Sequence, residues 1–121
     1  MASAGRLSAK FKLWLELGGE PLMGEGGCEL LKAIEEEGSI MGACRRLDLS
    51  YRKAMSYLRK MERRLGRKVV EAKRGGKHGG EARLTEEGKA LVKAYEAIKE
   101  ALEKALEAVA PAVLSGLWGG P

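Results

Sequence analysis

The chain has 121 residues, of which 45% are hydrophobic and 32% charged, the composition of one soluble globular domain spanning residues 1–121. Only 5% of the residues are aromatic, which argues against a large aromatic-lined substrate pocket. Residues 45–83 hold fourteen Lys/Arg and four Asp/Glu, whereas the segments on either side are net acidic. A block of one sign favours a polyanionic partner, because an ordinary solvated face usually mixes its charges.

Other features of the sequence predict the source of the protein, its location and the state of its cysteines. Asn and Gln do not occur while Glu, Lys and Arg are abundant, which favours a thermophilic source. MASAGRLSAK lacks the apolar run of a signal peptide, and AVAPAVLSGLW is too short and interrupted to span a membrane, so we expect a cytoplasmic protein. Cys28 and Cys44 are expected to be small buried side chains, with a disulfide bridge as the alternative.

The first predicted elements are a strand and a helix. In FKLWLEL at 11–17 apolar residues alternate with others, which is typical of a half-buried strand, and the turn-rich GGEPLMG at 18–24 ends it. Apolar residues then recur at helical spacing from Cys28 up to Gly38, which is a suitable C-terminal stop.

Two further helices follow, joined by a tight connection. Ser39 is placed to cap a helix over residues 40–47, and Ser50 to cap a helix over residues 51–65. One face of the second helix carries the apolar residues Ala54, Leu58, Met61 and Leu65. Its other face carries Arg52, Ser56, Arg59, Lys60 and Arg63.

A hairpin and a long helix complete the chain. Residues 69–73 and 81–84 are predicted to be strands joined by the glycine-rich turn RGGKHGG. Thr85 is a good N-cap for a helix over about residues 86–110, with two glutamates in its first turn. Pro111 is expected to kink or end this helix and to leave a loose tail. A heptad seam of Leu91, Tyr95, Ile98, Leu102, Ala105 and Val109 runs along it.

The order of these elements predicts the fold. Three helices followed by a two-stranded hairpin are the plan of a winged helix-turn-helix, so the fold class is mainly α with a small β-hairpin (α+β). The core spans about residues 11–90, and the last helix is a candidate dimerisation helix. Gly42, Ala43 and Ala54 are small enough to let the second and third helices cross closely.

The third helix is the candidate recognition element. In a helix-turn-helix the second helix of the motif enters the DNA major groove with its N-terminal part. Arg52 is suited to bidentate reading of guanine, and Tyr51 or Met55 to contact with a thymine methyl. The predicted DNA-binding residues are Ser50, Tyr51, Arg52, Lys53, Met55, Ser56, Arg59, Lys73, Arg74, Lys77, His78 and Arg83. The alternative is an amphipathic helix with a basic solvent face.

The loop KRGGKHGG at 73–80 has several interpretations. It lacks the residue order of a phosphate-binding loop or a dinucleotide fold, and His78 has no neighbouring ligand for a metal ion. A flexible turn and the tip of a wing remain. In a wing, glycines let the backbone approach phosphates closely, and Lys77 with its flanking cations supplies charge.

These motifs also resemble a known family. GSIMGACRRLDLSYRKAMSYLRKMERRLG at 38–66 and RLTEEGKAL at 83–91 resemble the N-terminal helix-turn-helix of LysR-type regulators. GGKHGG and the SYRKA at 50–54 are more similar to the DNA-binding domain of ModE-type, molybdate-responsive regulators. The resemblance covers roughly residues 11–109 and implies a winged-helix dimer that represses or activates transcription. Met55 stands where a tryptophan is expected in ModE relatives, so we expect a different operator preference.

The heptad seam and the resemblance to regulators predict the partners of this protein. An exposed apolar stripe on the last helix implies a homodimer, with Tyr95, Ile98, Leu102, Ala105 and Val109 as dimerisation residues. Double-stranded DNA is the expected ligand, and no membrane is expected. ModE proteins carry C-terminal domains that bind molybdate; this sequence ends without them, so molybdate binding by this chain is not expected.

Catalysis is not expected. One Asp, one His and two separated cysteines offer no triad, carboxylate dyad or metal cluster, so we predict no enzyme, no metal and no cofactor. Two functions compete with a sequence-specific regulator: an architectural DNA-binding protein without an operator, and a winged-helix module that contacts other proteins.

Overall fold

A computed structural model of the chain describes residues 6–73 and 80–117. Its elements are β1 (Leu15–Leu17), β2 (Glu20–Met23), α1 (Glu25–Glu37), α2 (Ile40–Leu47), α3 (Tyr51–Leu65), β3 (Val70–Lys73), β4 (Glu81–Leu84) and α4 (Glu86–Leu114). β1 pairs antiparallel with β2, and β3 pairs antiparallel with β4. The predicted winged helix-turn-helix with a long last helix is confirmed.

The bounds of α2 and α3 match the prediction because local capping sets them. Ser39 Oγ accepts a hydrogen bond of 2.8 Å from the backbone N–H three residues on, and Ser50 Oγ accepts one of 3.0 Å in the same way. Gly66 ends α3 in the left-handed conformation, with φ of 68°, which glycine adopts without steric strain.

The core is built around α1, which contacts α2, α3, α4, β2 and β4. The largest fully buried side chains are Leu30, Leu31 and Ile34 of α1, Met61 of α3 and Val69 before β3. Burial of a single aliphatic side chain of this size stabilises a fold by roughly 1.5–3 kcal/mol. This cluster therefore fixes the position of α3 from behind and leaves its other face in solvent.

Both cysteines lie in this core. Cys28 and Cys44 are buried and free, as expected for small apolar side chains, and they form no disulfide. Burial raises the pKa of the Cys28 thiol to about 11, so the thiol stays protonated near neutral pH.

The N-terminal strand differs from the prediction. The strand expected over residues 11–17 is only three residues long, and the segment expected to be a turn contains a second strand. Gly18 and Gly19 have φ of 59° and 82°, the left-handed conformations that a two-residue hairpin turn requires. Leu22 and Met23 of β2 are buried against the core, so the two glycines reverse the chain instead of ending its β structure.

The last helix is also longer than predicted. α4 has 29 residues and continues past Pro111 to Leu114, so the expected end near residue 110 was wrong. Proline removes one backbone donor, but its carbonyl still accepts, and the Ser115 N–H donates to Pro111 O at 3.0 Å. Within residues 6–73 and 80–117, no helix is both long and apolar enough to cross a membrane.

Candidate nucleic-acid interface

The turn between α2 and α3 presents the start of α3 to solvent. Asp48 ends α2 in the left-handed conformation, with φ of 52°, and the Leu49 N–H donates to the Cys44 carbonyl at 2.9 Å. Ser50 then starts α3 as its N-cap. These bonds are all local, so the direction in which α3 leaves the turn is fixed within a few residues.

A line of exposed residues follows the whole length of α3. Arg52, Ser56, Arg59 and Arg63, here named the α3 stripe, are spaced by four, three and four residues and are all exposed. That spacing puts them on one side of a helix with 3.6 residues per turn. The buried residues Ala54, Leu58 and Met61 lie on the opposite side. Burial of the apolar side thus forces the stripe to face outward.

The two predicted thymine contacts have different environments. Tyr51 is 50% exposed at the first position of α3. Met55 is half-buried and packs against the hydrophobic core. Tyr51 is therefore the freer of the two side chains to meet a ligand.

Ion pairs divide the arginines of the basic block into two sets. Four arginines form ion pairs with carboxylates: Arg46 with Glu36 and Glu37, Arg64 with Glu20, Arg67 with Glu87, and Arg83 with Glu71. Among the described residues, no carboxylate forms an ion pair with the arginines of the α3 stripe or with Lys53. The positive charge of the α3 stripe and of Lys53 is thus left unneutralised by the part of the chain that the structure describes.

The hairpin β3–β4 forms the predicted wing strands, with β3 one residue shorter than expected. Its register pairs Val70 with Leu84 and Lys73 with Glu81. Lys73 is exposed, whereas Arg83 is held by Glu71 across the hairpin at 3.2 Å. Three further predicted DNA-binding residues, Arg74, Lys77 and His78, lie outside the described residues.

Two glutamates fasten the hairpin to the helices. Glu62 Oε2 of α3 accepts hydrogen bonds from the N–H groups of Val69 at 2.9 Å and Val70 at 3.4 Å. Glu35 Oε1 of α1 accepts one from the Leu84 N–H at 2.9 Å. Sequence reasoning missed both anchors, because a glutamate on a helix surface carries no local sign of a partner distant in the sequence.

The sequence Leu84-Thr85-x-x-Gly88 joins the hairpin to α4. Thr85 Oγ1 accepts from the Gly88 N–H at 3.1 Å, while its hydroxyl donates to the Lys68 carbonyl at 2.7 Å. The Thr85 N–H donates to Val69 O at 3.0 Å. A Cβ atom on Gly88 would lie 2.3 Å from that same carbonyl oxygen. Glycine is therefore required here because the backbone of Val69, just before β3, passes directly against α4.

The small residues of the helix-turn-helix have separate roles. Ala43 and Ala54 are fully buried, which agrees with the close crossing predicted for α2 and α3. Gly42 is buried too, but a Cβ atom there would meet Ser39 Oγ at 2.7 Å and Glu37 Cβ at 3.1 Å. Gly42 therefore makes room for the N-cap of its own helix, a role that the sequence did not predict.

The heptad residues of α4 fall into a buried and an exposed group. Tyr95 is only 3% exposed, and its hydroxyl donates to the Leu13 carbonyl at 3.0 Å, so it belongs to the core of its own chain and not to a partner surface. Burial raises the pKa of its phenol. The exposed heptad residues Ile98, Leu102, Ala105 and Val109, together with Val113 one turn further on, are here named the α4 seam.

Known proteins are similar in sequence to this chain over most of its length. MopA, a molybdenum-pterin-binding protein of Rhodobacter capsulatus, is 39% identical over 83 residues, which cover 69% of this chain and 31% of that protein. The molybdenum transport protein ModE of Azotobacter vinelandii is 32% identical over 97 residues, covering 80% and 35%. The chain spans about a third of the length of these relatives.

A solved structure and a family model agree with this likeness. The full-length LTTR LysG from Corynebacterium glutamicum has a TM-score of 0.54 and 23% identity, covering 72% of this chain and 28% of that one, and supports the fold. Residues 27–89, from α1 through the hairpin to the start of α4, match the model of the bacterial regulatory helix-turn-helix proteins of the lysR family. Because this match covers more than half of the chain and contains the capped α2 and α3, the protein belongs to the lysR family of bacterial regulatory helix-turn-helix proteins, with ModE-type proteins among its relatives.

Proposed function

We propose that this protein is a sequence-specific DNA-binding regulator of transcription that acts as a homodimer. In this proposal α3 enters the major groove, and the wing over residues 73–83 contacts the phosphate backbone or the minor groove. The observation that carries the proposal is the α3 stripe, which is exposed opposite the core and has no ion-pair partner among the described residues.

The residues at the start of α3 take different roles in the groove. Arg52, in the first turn, is suited to bidentate donation to guanine. Tyr51 is exposed enough to contact a thymine methyl group. Ser50 Oγ already accepts the Lys53 N–H, but its hydroxyl proton stays available for a phosphate oxygen. The Lys53 ammonium is exposed and supplies a second phosphate contact.

Selection from a random pool of duplexes tests the proposal. We expect the wild-type protein to recover a two-fold related sequence. Arg52→Ala is expected to relax the preference at one position of each half-site, by about 1–3 kcal/mol, because its bidentate pair to guanine is removed. Lys73→Ala removes an exposed wing charge and is the control, since it should weaken binding about equally on every sequence.

Either of two results would contradict this division of roles. Recovery of no common sequence would favour an architectural protein over a regulator. If Arg52→Ala and Lys73→Ala had the same sequence-independent effect, base reading by Arg52 would be wrong.

The α4 seam supports the homodimer. Ile98 and Leu102 are 42% and 41% exposed. Val109 and Val113, which lie further along the helix, are exposed as well. A contiguous apolar stripe of this kind is typical of a partner surface. Pairing of two α4 helices would place two copies of α3 on one face, where they can meet half-sites about 34 Å apart.

Leu102→Glu is the variant that separates the dimer from the fold. We expect a monomer by sedimentation equilibrium, because a carboxylate in the seam cannot be buried without a partner. Binding to a two-fold site should weaken on the order of 100-fold or more, because a monomer binds one half-site only and loses the gain from binding two at once. The melting curve should keep its single transition because Leu102 is already partly exposed.

Ala97→Glu is the matched control, because Ala97 is exposed on α4 outside the seam and gains the same charge. It should leave the oligomeric state and the affinity unchanged. A Leu102→Glu protein that sediments like the wild type would argue against the seam as the dimer contact.

A further inference from the structure

Arg63 lies beyond the part of α3 that base reading requires. It is the last member of the α3 stripe, eleven residues after Arg52, and therefore about 16 Å further along the helix axis at about 1.5 Å per residue. In a helix-turn-helix the N-terminal residues of the recognition helix are the ones that contact base edges. When the first turn of α3 meets base edges, Arg63 is carried toward the edge of the groove, where the phosphates lie.

The chemistry of Arg63 differs from that of the arginines beside it. Arg64 donates to the Pro21 carbonyl and pairs with Glu20. Arg67, just past the end of the helix, pairs with Glu87 at 3.3 Å. Arg63 is exposed and has no carboxylate partner among the described residues.

Arg59 and Arg63 also stand together. They are four residues apart on α3, so their side chains are neighbours on the same side of the helix. Like charges at this spacing destabilise a helix slightly. The half-buried Lys60 lies next to this pair in sequence and adds a third positive charge. This concentrates positive charge at the end of α3 that is remote from the bases, an arrangement suited to a polyanion.

We propose that Arg63 binds a backbone phosphate at the edge of the groove that α3 enters. α3 then contacts bases with its first turn and phosphates with its last two turns. A guanidinium group matches phosphate oxygens with two parallel hydrogen bonds. The inference rests on the proposed function and extends it by one phosphate per subunit. The sequence-based set of DNA-binding residues in α3 stopped at Arg59, although the four-three-four spacing already pointed to Arg63.

Arg63→Ala and Arg67→Ala provide a matched test, since each removes one positive charge from an exposed arginine near the end of α3. Affinity for duplex DNA is measured by fluorescence anisotropy over a range of salt concentrations. For Arg63→Ala we expect the slope of log K against log salt to become shallower by about 0.9 for each phosphate that is no longer neutralised. That corresponds to about eightfold weaker binding per subunit at about 0.1 M salt, on every sequence. Arg67→Ala should keep the wild-type slope, and Arg63→Lys should restore most of it.

The outcomes separate this inference from the proposed function. If Arg63→Ala kept the wild-type slope, or weakened binding to one base sequence alone, phosphate binding by Arg63 would be refuted while salt-dependent binding by the wild type still stood. If the wild type itself failed to bind duplex DNA, the proposed function and the phosphate contact of Arg63 would both be refuted. Thermal melting of each variant checks that the effect lies in binding, because the removed side chains are exposed and their removal should leave the transition in place.

Discussion

Raising the salt concentration from about 50 to about 200 mM is expected to weaken duplex binding by a factor on the order of 10³–10⁵, for a dimer that contacts about six to ten phosphates. The physical reason is counterion release: each Lys or Arg that meets a phosphate frees a condensed cation. Exposed cations without an ion-pair partner in the described chain include Arg52, Lys53, Arg59, Arg63 and Lys73. Titration of a labelled duplex at several salt concentrations measures the slope.

A pair of double variants shows whether the charge or its position matters. Arg52→Ala with Arg59→Ala removes two charges from the α3 stripe, and the slope should become shallower. Arg46→Ala with Arg67→Ala removes two arginines that carboxylates already hold, and the slope should stay the same. A flat salt response of the wild type would contradict the phosphate contacts, and failure to bind duplex DNA at low salt would favour a protein-interaction module.

Gly88→Ala is expected to destabilise the fold by about 3 kcal/mol, the upper end of the usual range for overpacking. The added Cβ would lie 2.3 Å from the Val69 carbonyl oxygen, and both groups belong to the backbone, so neither can move aside without shifting the hairpin or α4. The same shift would lengthen the hydrogen bond from the Thr85 N–H to Val69 O. Differential scanning calorimetry should show a melting temperature lower by on the order of 10 °C.

Gly26→Ala is the control for this prediction. Gly26 also lies in a helix, but its added Cβ would meet only the Tyr57 hydroxyl at 3.1 Å, the far end of a side chain. Alanine usually stabilises a helix relative to glycine by about 0.8–1 kcal/mol, so this variant should be neutral or slightly more stable. A Gly88→Ala protein that melted like Gly26→Ala would show that the Val69 backbone does not lie against α4 as described.

The N-terminal region shows where reasoning from the sequence failed. Gly18 and Gly19 were interpreted as the end of a strand, and they form the turn of a hairpin. Glycines mark both situations equally well in a sequence. The difference lies in Leu22 and Met23, which are buried because α1 and α3 pack against β2.

The sequence by itself determined the recognition motif. Ser39, Ser50, Gly38 and Gly66 fixed the ends of the helices, because a cap bonds to backbone groups three or four residues away and needs no distant partner. The three- and four-residue spacing of apolar residues likewise determined which side of α3 is buried.

Only the tertiary structure decided which arginines form ion pairs with carboxylates and which groups anchor the β3–β4 hairpin to the helices. Arg64 meets Glu20 across 44 residues of sequence, so no local pattern distinguishes it from Arg63, which has no ion-pair partner among the described residues. Glu35 likewise meets the Leu84 N–H across 49 residues. The requirement for Gly88 is of the same kind, since it depends on the position of the Val69 carbonyl just before β3. Contacts between residues distant in the sequence exist only once the helices have packed, and for that reason composition indicated a basic face while the fold selected the arginines that form it.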